Sequence, residues 1–459
     1  MPFSAVPSGC LAVLASALVA QATPPPPPAA DPEIQQIVGE LSAERIQRSI
    51  VVLSSFKTRH TLSDPQPSGD GIGGACAWIR AEFERVAAAS GGRLLVRTDE
   101  FTQAPRAPQI PRPVPIVNVV ATLPGTRPDS SGRLYVVGAH YDSVARNLLD
   151  AQSAAPGADD DASGVAAVLE LARVLSKREF PATIVFLAVA GEEQGMVGSA
   201  HWAEQARRDH LNIAAMLDDD IIGNTHAADG RVDRRSVRLF AQGIPPAARP
   251  DDGLLELIRM GGEDDTPPRQ LARAIRDLAA VYVPGFAVRI VRRADRFLRG
   301  GDQLPFLERG YAAVRFTEPA EDFRHQHADV RVENGVRYGD LPDLVDYVYV
   351  ADVARVNAAA LAGLALAPAA PADVQIEAVR LENDTTLRWK ASLEGDLAGY
   401  RVVWRETTAP DWEHYLDVPK TQTRATVPVS KDDVVFGVEA FDSSGHVSPA
   451  AFPRPRLTL

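Results

Sequence analysis

The sequence LYVVGAHYDS, residues 134–143, is a short apolar run that ends abruptly in polar side chains. Residues 183–195, TIVFLAVAGEEQG, have the same pattern. Between these runs, residues 165–175 carry apolar side chains at helical spacing and follow Asp161-Ala162-Ser163-Gly164, which is typical of a helix start. A strand, a helix and a second strand in this order predict parallel strands covered by helices.

The same alternation extends on both sides of this unit. Further apolar runs predict strands at residues 93–98, 116–123, 213–217 and 312–316. Helical patterns predict two helices within residues 33–89 and single helices at 267–280 and 344–364. We therefore expect an α/β fold with a mainly parallel, mixed sheet flanked by helices.

The C-terminal part has a different pattern. After an Ala/Pro-rich linker at residues 365–372, short alternating strands predict an all-β sandwich, which we assign to residues 367–459. The strand order and the segment GVEAFD, residues 437–442, resemble a fibronectin type III domain. Three aromatic residues fall on these strands, and we expect them to pack in the core rather than to form a ligand platform: Trp389, Tyr400 and Trp404.

The N-terminus has the features of an export signal. An apolar run at residues 11–20, followed by Ala20-Gln21-Ala22, is typical of a signal peptide with a small-residue cleavage site. We expect removal of residues 1–22, which indicates a secreted or periplasmic protein. The run is too short to span a bilayer, so no integral membrane segment is expected after its removal. Pro24–Pro28 predicts a stiff polyproline spacer at residues 23–30.

Charge and cysteine content exclude several kinds of site. The chain has 60 Asp and Glu against 48 Lys and Arg, a net charge of -12, so it lacks the basic footprint of a nucleic-acid-binding protein. Cys10 lies in the predicted signal peptide, which leaves Cys76 as the only cysteine of the mature chain. A disulfide within the mature chain and a cysteine-based zinc site are therefore excluded, and any metal must be bound by His, Asp and Glu.

Polar clusters occur where the predicted strands end. Each cluster alone is more typical of a solvated loop than of a site. Together they indicate a site, because ligands bind at the carboxyl ends of parallel strands, where these side chains converge. The clusters are His140-Tyr141-Asp142, Asp159-Asp160-Asp161, Glu192-Glu193 and Asp218-Asp219-Asp220, with His325-Gln326-His327 in a later loop.

The composition of these clusters indicates zinc. Convergent carboxylates repel one another and need cations to offset their burial. Mixed imidazole and carboxylate ligands suit zinc better than magnesium or calcium, although manganese or cobalt could occupy the same site. Two zinc ions can share a bridging carboxylate and a bridging water about 3.5–4 Å apart. Three carboxylates and one hydroxide would then balance the charge of two zinc ions.

Four motifs make the chain similar to a known family. They are GAHYDS at 138–143, GADDDASG at 157–164, GEEQG at 191–195 and DIIGN at 220–224. Their combination resembles the zinc aminopeptidases and carboxypeptidases that include bacterial leucyl aminopeptidases and glutamate carboxypeptidase. The resemblance runs from about residue 117 to residue 330, and it implies a sheet of the zinc exopeptidase type in a zinc peptidase domain at residues 31–366.

The resemblance implies a role for each matching residue. It makes His140 and Asp220 ligands of one zinc ion and Glu193 a ligand of the other. Asp160 becomes the carboxylate that bridges the two ions. Glu192 becomes the general base.

Three further positions are less directly defined. The last ligand is expected to be a histidine of the late loop, and His327 is preferred over His325. Asp142 is expected to accept a hydrogen bond from the second ring nitrogen of His140 and so to orient it. Many family members have Ser-Asp-His where this chain has Gly301-Asp302-Gln303, so no histidine role is carried over there.

The implied reaction is hydrolysis of a peptide bond at a chain end. Metal coordination lowers the pKa of the bridging water towards about 7, and Glu192 takes its proton and delivers it to the leaving amine. The resemblance favours an aminopeptidase acting on peptides or proteins over a carboxypeptidase. A single-zinc glutaminyl cyclase of the same fold and a non-catalytic peptide-binding protein stay as alternatives, and the oligomeric state is left open.

Overall fold

The computed structural model describes residues 23–244, 252–379 and 381–456, so the predicted signal peptide, residues 1–22, lies outside the described residues. The helices are α1 (Pro32–Gly39), α2 (Ala43–Ser55), α3 (Ile72–Ala89), α4 (Ala162–Leu175), α5 (Val197–Arg208), α6 (Asp252–Arg259), α7 (Pro267–Tyr282), α8 (Gln303–Glu308) and α9 (Tyr347–Leu366). The strands of the first part are β1 (Leu95–Gln103), β2 (Val114–Leu123), β3 (Arg133–His140), β4 (Thr183–Val189), β5 (Asn212–Asp219), β6 (Ser236–Phe240), β7 (Ala287–Val291), β8 (Ala313–Thr317), β9 (Arg331–Glu333) and β10 (Val336–Tyr338). Those of the C-terminal part are β11 (Gln375–Glu377), β12 (Thr385–Arg388), β13 (Leu397–Glu406), β14 (His414–Pro419), β15 (Arg424–Val427), β16 (Val434–Asp442) and β17 (Arg454–Arg456).

A mixed sheet forms the centre of the first part of the chain. Its strand order is β1-β2-β4-β3-β5-β8-β6-β7. β4, β3, β5 and β8 are parallel neighbours, whereas β1 and β2 pair antiparallel at one edge and β6 pairs antiparallel with β8. Every residue of β4 is buried, as expected of a strand covered on both faces. The predicted α/β fold with a mainly parallel, mixed sheet is confirmed.

Helices cover both faces of this sheet. On one face, α4 is buried along its whole length apart from Arg173, and its core is continuous with those of α1, α2, α3, α7 and α9. On the other face, α5 and α8 form a separate cluster in which the rings of Trp202 and Phe306 lie 5.7 Å apart. Since both faces are covered, the strand ends are the part of the sheet left open to ligands.

α9 is the one helix of the described chain that is long and apolar enough to cross a membrane. In this fold, 83% of its most apolar window is buried inside the protein. It packs against α1, α4 and α7. This burial is typical of a core helix.

Two further sheets form the C-terminal part and pack on one shared core. Their strand orders are β15-β12-β11-β17 and β14-β13-β16. Leu387 of the first sheet and Val402 of the second are both fully buried in this core. The predicted all-β sandwich is confirmed, whereas its likeness to fibronectin type III stays a prediction. The three aromatic residues predicted to pack in the core do so: Trp389, Tyr400 and Trp404.

The predicted linker is a packed segment. α9 extends to Leu366, and Ala367 after it is buried. Arg133 of β3 donates a hydrogen bond to the carbonyl oxygen of Ala367 at 2.7 Å and another to the carboxylate of Glu394 at 2.5 Å. The segment therefore holds the sandwich against the main sheet instead of acting as a free spacer.

Several elements differ from the prediction. The region predicted as two helices contains three, because Ser42 starts α2 by accepting a hydrogen bond from the N–H of Arg45. The strand predicted at residues 93–98 is β1, which begins at Leu95. β6 and β7 had no prediction, since arginines interrupt their short apolar runs.

Candidate metal centre

Three parallel strands bring polar residues to one edge of the main sheet. His140 is the last residue of β3, Glu192 and Glu193 follow the end of β4, and Asp220 directly follows β5. Asp160 lies in the loop just before α4. Because parallel strands end at the same edge, these side chains meet in one crevice.

Two groups of ligand-type atoms converge in this crevice and share one carboxylate. In the first group, Nε2 of His140 lies 3.1 Å from Oδ1 of Asp160 and 3.8 Å from Oδ1 of Asp220. In the second group, Nε2 of His327 lies 3.0 Å from Oδ2 of Asp160 and 3.0 Å from Oε2 of Glu193. Within each group the ligand atoms all lie within 4.8 Å of one another. Asp160 thus offers one oxygen to each group.

The two candidate histidines of the late loop lie in different places. Nε2 of His325 is 3.8 Å from Oδ2 of Asp322, and His325 belongs to neither group. His327 is the histidine whose ring faces the shared carboxylate of Asp160. The geometry therefore favours the same choice as the sequence motif.

The carboxylates of both groups keep oxygens that make no hydrogen bond. Oε1 of Glu193 and Oδ1 of Asp220 are buried without a partner. Burying such an oxygen costs free energy unless a donor or a cation meets it. Among the biological divalent ions, zinc is well suited to a ligand set of imidazole nitrogens and carboxylate oxygens. These residues therefore fit bound zinc.

The electrostatics of the cluster agree with this fit. Burial lowers the pKa of His140, but hydrogen bonds to the surrounding aspartates outweigh burial and raise that pKa well above its usual value. Burial likewise lowers the pKa of His327, whereas the carboxylates of Glu193 and Asp160 raise it well above its usual value. The buried carboxylates of the cluster thus stabilise positive charge, which bound divalent cations can supply.

The carboxylate of Asp142 has more contacts than the predicted one with His140. Nδ1 of His140 lies 3.1 Å from the backbone oxygen of Asp142 and 3.5 Å from its carboxylate. The carboxylate also accepts hydrogen bonds from the backbone N–H groups of Glu192 at 3.2 Å and Glu193 at 3.1 Å. The predicted interaction of this carboxylate with the ring of His140 contributes to the raised pKa of the histidine, and the backbone oxygen of Asp142 lies closer to the same ring nitrogen. Asp142 therefore positions both glutamates.

Glu192 lines a cleft of about 790 Å³ beside both groups, and it belongs to neither of them. Burial raises the pKa of Glu192, attraction to His140 lowers it, and repulsion by Asp220 and Asp302 raises it further, so that it lies well above its usual value. A carboxylate with a raised pKa is a stronger proton acceptor. Glu192 is thus a free carboxylate suited to proton transfer.

Two residues that hold the centre were missed from the sequence. The guanidinium of Arg315, buried in β8, lies 2.9 Å from Oδ2 of Asp220. The carboxylate of Asp340 accepts hydrogen bonds from the N–H groups of Asp159 and Asp160, each at 2.8 Å. Both residues are far along the chain from the atoms they contact, so no local spacing could have found them.

Two glycines are required by close approaches around the shared carboxylate. Gly157 has a φ of +50°, and a Cβ there would lie 2.5 Å from the carbonyl oxygen of Asp160. A Cβ on Gly164 would lie 2.1 Å from the carbonyl oxygen of Asp219, where α4 meets the end of β5. The glycines of the 157–164 motif therefore let the loop and helix reach the strand ends.

Comparisons with known proteins place the chain in a family. Residues 118–242 match the profile of Peptidase family M28. A probable zinc metalloprotease of Leptosphaeria maculans is 46% identical over 427 residues, which cover 93% of this chain and 98% of that protein. The chain therefore belongs to the M28 family of zinc metallopeptidases.

Solved structures share the fold at low sequence identity. LapB from Legionella pneumophila has a TM-score of 0.53 at 20% identity, covering 76% of this chain and 79% of LapB. The LapA aminopeptidase of the same organism has a TM-score of 0.52 at 19% identity, covering 77% of this chain and 78% of LapA. These two likenesses support the α/β architecture.

Proposed function

We propose that the protein is an aminopeptidase that binds two zinc ions and uses Glu192 as its general base. The observation that carries the proposal is the sharing of Asp160 between two ligand groups, with Glu192 beside both in the same cleft. A shared carboxylate is typical of centres that hold two metal ions.

Each group supplies three ligands. One ion would be held by His140, Asp160 and Asp220, and the other by Asp160, Glu193 and His327. When bound, such ions polarise the scissile carbonyl and lower the pKa of a bound water. The protein's own contribution is to hold these five side chains at the end of a rigid sheet.

Glu192 moves the proton in the proposed reaction. Its carboxylate accepts a proton from the attacking water and then donates that proton to the leaving amine. The carboxylate of Asp142 binds the N–H of Glu192 and keeps this base at the cleft.

The choice of an amino end rests on the family resemblance and on the fold shared with LapA, which is described as an aminopeptidase. A carboxypeptidase would use the same centre and differ in how the chain end is bound. A single-zinc glutaminyl cyclase has no need of a shared carboxylate, and a non-catalytic peptide-binding protein has no need of Glu192. The shared Asp160 therefore favours the peptidase.

We also propose that the protein acts outside the cytoplasm. The apolar run and small-residue cleavage pattern within residues 1–22 support export. Sequencing the N-terminus of the exported protein tests this, and a mature chain that begins at Thr23 is expected.

Metal analysis and a substrate screen test the proposed activity. Two zinc ions per chain and hydrolysis of aminoacyl p-nitroanilides with a free amine are expected, together with loss of activity in a chelator. One zinc ion per chain would favour the cyclase. Cleavage of only those peptides whose amine is blocked would favour a carboxypeptidase.

A further inference from the structure

The cleft beside the candidate metal centre is rich in arginine. Four carboxylates line the cleft, and all four belong to the centre or to its proposed base: Asp160, Glu192, Glu193 and Asp220. Four arginines line the same space: Arg106, Arg296, Arg299 and Arg315. With divalent ions bound to the carboxylates, the cleft would have a strong positive excess, although the whole chain has a net charge of -12.

Two of these arginines have no acidic partner among the described residues. Arg106 and Arg299 are exposed, and neither forms an ion pair within the part of the chain that the structure describes. The only side-chain contact of Arg106 there is a weak hydrogen bond of 3.5 Å to the carbonyl oxygen of Gly195. Both guanidiniums therefore keep donors that can bind a ligand in the cleft.

Arg296 brings a guanidinium close to the shared carboxylate. Its Nη1 donates to Oε1 of Gln326 at 3.2 Å, and Nε2 of Gln326 donates to Oδ2 of Asp160 at 3.2 Å. One glutamine side chain thus separates Arg296 from Asp160. Nε of Arg296 is buried 3.5 Å from Oδ1 of Asp295, so this arginine is already paired on the side away from Gln326.

The acidic partners of Arg296 are shared with other arginines. Glu321 accepts from Arg296 at 2.8 Å and also pairs with Arg238. Asp295 lies 3.5 Å from Nε of Arg296 and pairs more closely, at 2.6 Å, with Arg315. Since Arg315 also pairs with Asp220, these three arginines have three carboxylates between them, and the unpaired arginines of the cleft among the described residues are Arg106 and Arg299.

We infer that the cleft binds a carboxylate of the peptide substrate through Arg106 and Arg299. Arginine binds carboxylates through paired, charge-assisted hydrogen bonds, and a water-poor cleft strengthens them. This inference rests on the proposed exopeptidase activity. The carboxylate belongs either to an acidic side chain at the cleaved end or to the C-terminus of a short peptide, and the two sources are separated by experiment.

The first arm compares substrates that differ only in charge. Glutamyl and glutaminyl p-nitroanilide have the same shape, so the ratio of their kcat/KM values isolates the carboxylate. We expect a preference of at least about tenfold for the glutamyl substrate if the side chain is the source, mainly through KM.

The second arm tests the chain end. Dipeptides with a free C-terminus are compared with the same dipeptides as C-terminal amides, and a preference of at least about tenfold for the free form assigns the carboxylate to the C-terminus. Efficient hydrolysis without a preference in either arm would overturn the inference and leave the proposed activity intact.

Variants connect the preference to the arginines. The double variant Arg106→Gln, Arg299→Gln is expected to reduce the preference to less than about threefold. Arg293→Gln is the matched control, because Arg293 is exposed on the same loop, lies over the ring of Phe297 at 5.5 Å and does not line the cleft. A preference that survives in the double variant contradicts the assignment.

A binding measurement separates failure of the inference from failure of the proposed activity. Calorimetry of the zinc-loaded protein with glutarate should give binding that weakens in the double variant and is kept in Arg293→Gln. The uncharged glutaramide should not bind measurably. Equal glutarate affinity in the wild type and the double variant would overturn the inference even if no peptide is hydrolysed.

Discussion

Glu192 and Glu193 are adjacent in the chain and have different surroundings. The carboxylate of Glu193 contacts Nε2 of His327 and belongs to a ligand group, whereas Glu192 faces the cleft. Their backbone N–H groups are held by the same carboxylate of Asp142. The pair is therefore an internal control for the division between base and ligand.

Glu192→Gln should fold and bind metal normally but turn over at least about 100-fold more slowly, because shape is kept and basicity is lost. Glu193→Gln should mainly lower metal content, since a neutral amide is a poorer zinc ligand. Turnover and zinc content are measured on the same samples. Near wild-type turnover of fully loaded Glu192→Gln would contradict the mechanism.

The late-loop histidines give a second prediction at this scale. His327→Ala should weaken the affinity for one metal ion by at least about tenfold. Removal of a residue that only orients a ligand already lowers metal affinity about 10–100-fold, and removal of a ligand should cost no less. His325→Ala should keep wild-type zinc content, since its ring lies near Asp322 and outside both groups. Zinc titration of the two variants is the measurement, and the reverse order would show that the ligand is His325.

At the level of elements, the loop after β3 fixes the loop after β4. The carboxylate of Asp142 accepts from two backbone N–H groups of the second loop and from the hydroxyl of Thr61 at 3.2 Å. A carboxylate can accept several such bonds at once, whereas an amide offers one oxygen and presents a donor in place of the other.

Asp142→Asn should therefore lose one of the two backbone hydrogen bonds and misplace the following glutamates. We expect an affinity for zinc about 10–100-fold lower, measured by competition with a chelator. Thr61→Val is the control, since it removes only the hydroxyl contact and leaves both backbone bonds. An unchanged affinity in Asp142→Asn would show that the loop is held by other contacts.

At the level of the whole molecule, buried ion pairs join the sandwich to the main sheet. Arg133 and Glu394 are each only 6% exposed, and their charged atoms lie 2.5 Å apart. A second buried pair joins Arg405 of β13 to Asp265, just before α7, at 2.6 Å. Separating the two parts would break both pairs, and within the described residues the ion pair with Arg273 at 3.3 Å would be the only one left to Asp265.

Glu394→Gln should lower the free energy of unfolding by roughly 3–5 kcal/mol, because it leaves Arg133 buried without a counter-charge. Asp396→Asn is the matched control in the same loop. Its partner Arg127 is 27% exposed, so a loss of at most about 1 kcal/mol is expected. Urea unfolding measures both, and equal effects would show that the Arg133 pair adds little.

A second long-range contact is formed by the titratable side chain of His446. Nδ1 of His446 lies 2.7 Å from Asp442, and Nε2 lies 3.0 Å from Asp31 at the start of α1. Burial lowers the pKa of His446, but hydrogen bonds and attraction to Asp442 and Asp31 outweigh it and raise the pKa above 6.5. His446 thus connects the N-terminal helix to the sandwich, and its protonated form is the one that pairs with both aspartates.

A raised pKa in the folded state stabilises the protein below the unfolded value and loses that effect as pH rises through the folded value. His446→Gln should therefore destabilise by about 1–3 kcal/mol near pH 6 and by clearly less near pH 9. Urea unfolding of wild type and variant at both pH values is the test. A difference that is constant with pH would contradict a role for protonated His446.

The sequence by itself determined the parallel sheet and the position of the ligand candidates along the chain. Both follow from local patterns, since a buried parallel strand is a continuous apolar run and its end is where polar residues begin. His140 and Asp220 could be placed at one edge of the sheet for this reason alone. The atom that each side chain contacts could not be predicted from the sequence.

Only the tertiary structure decided which groups meet. Arg315, Asp340 and the arginines of the cleft reach the centre from strands and loops distant in sequence, and the carboxylate of Asp142 also binds the loop after β4. The sequence pattern likewise separated the C-terminal sandwich from the main sheet by a linker. In the structure, the buried Arg133 of β3 contacts both Ala367 of that linker and Glu394 of the C-terminal part. Such contacts depend on the packing of distant segments, which local periodicity does not encode.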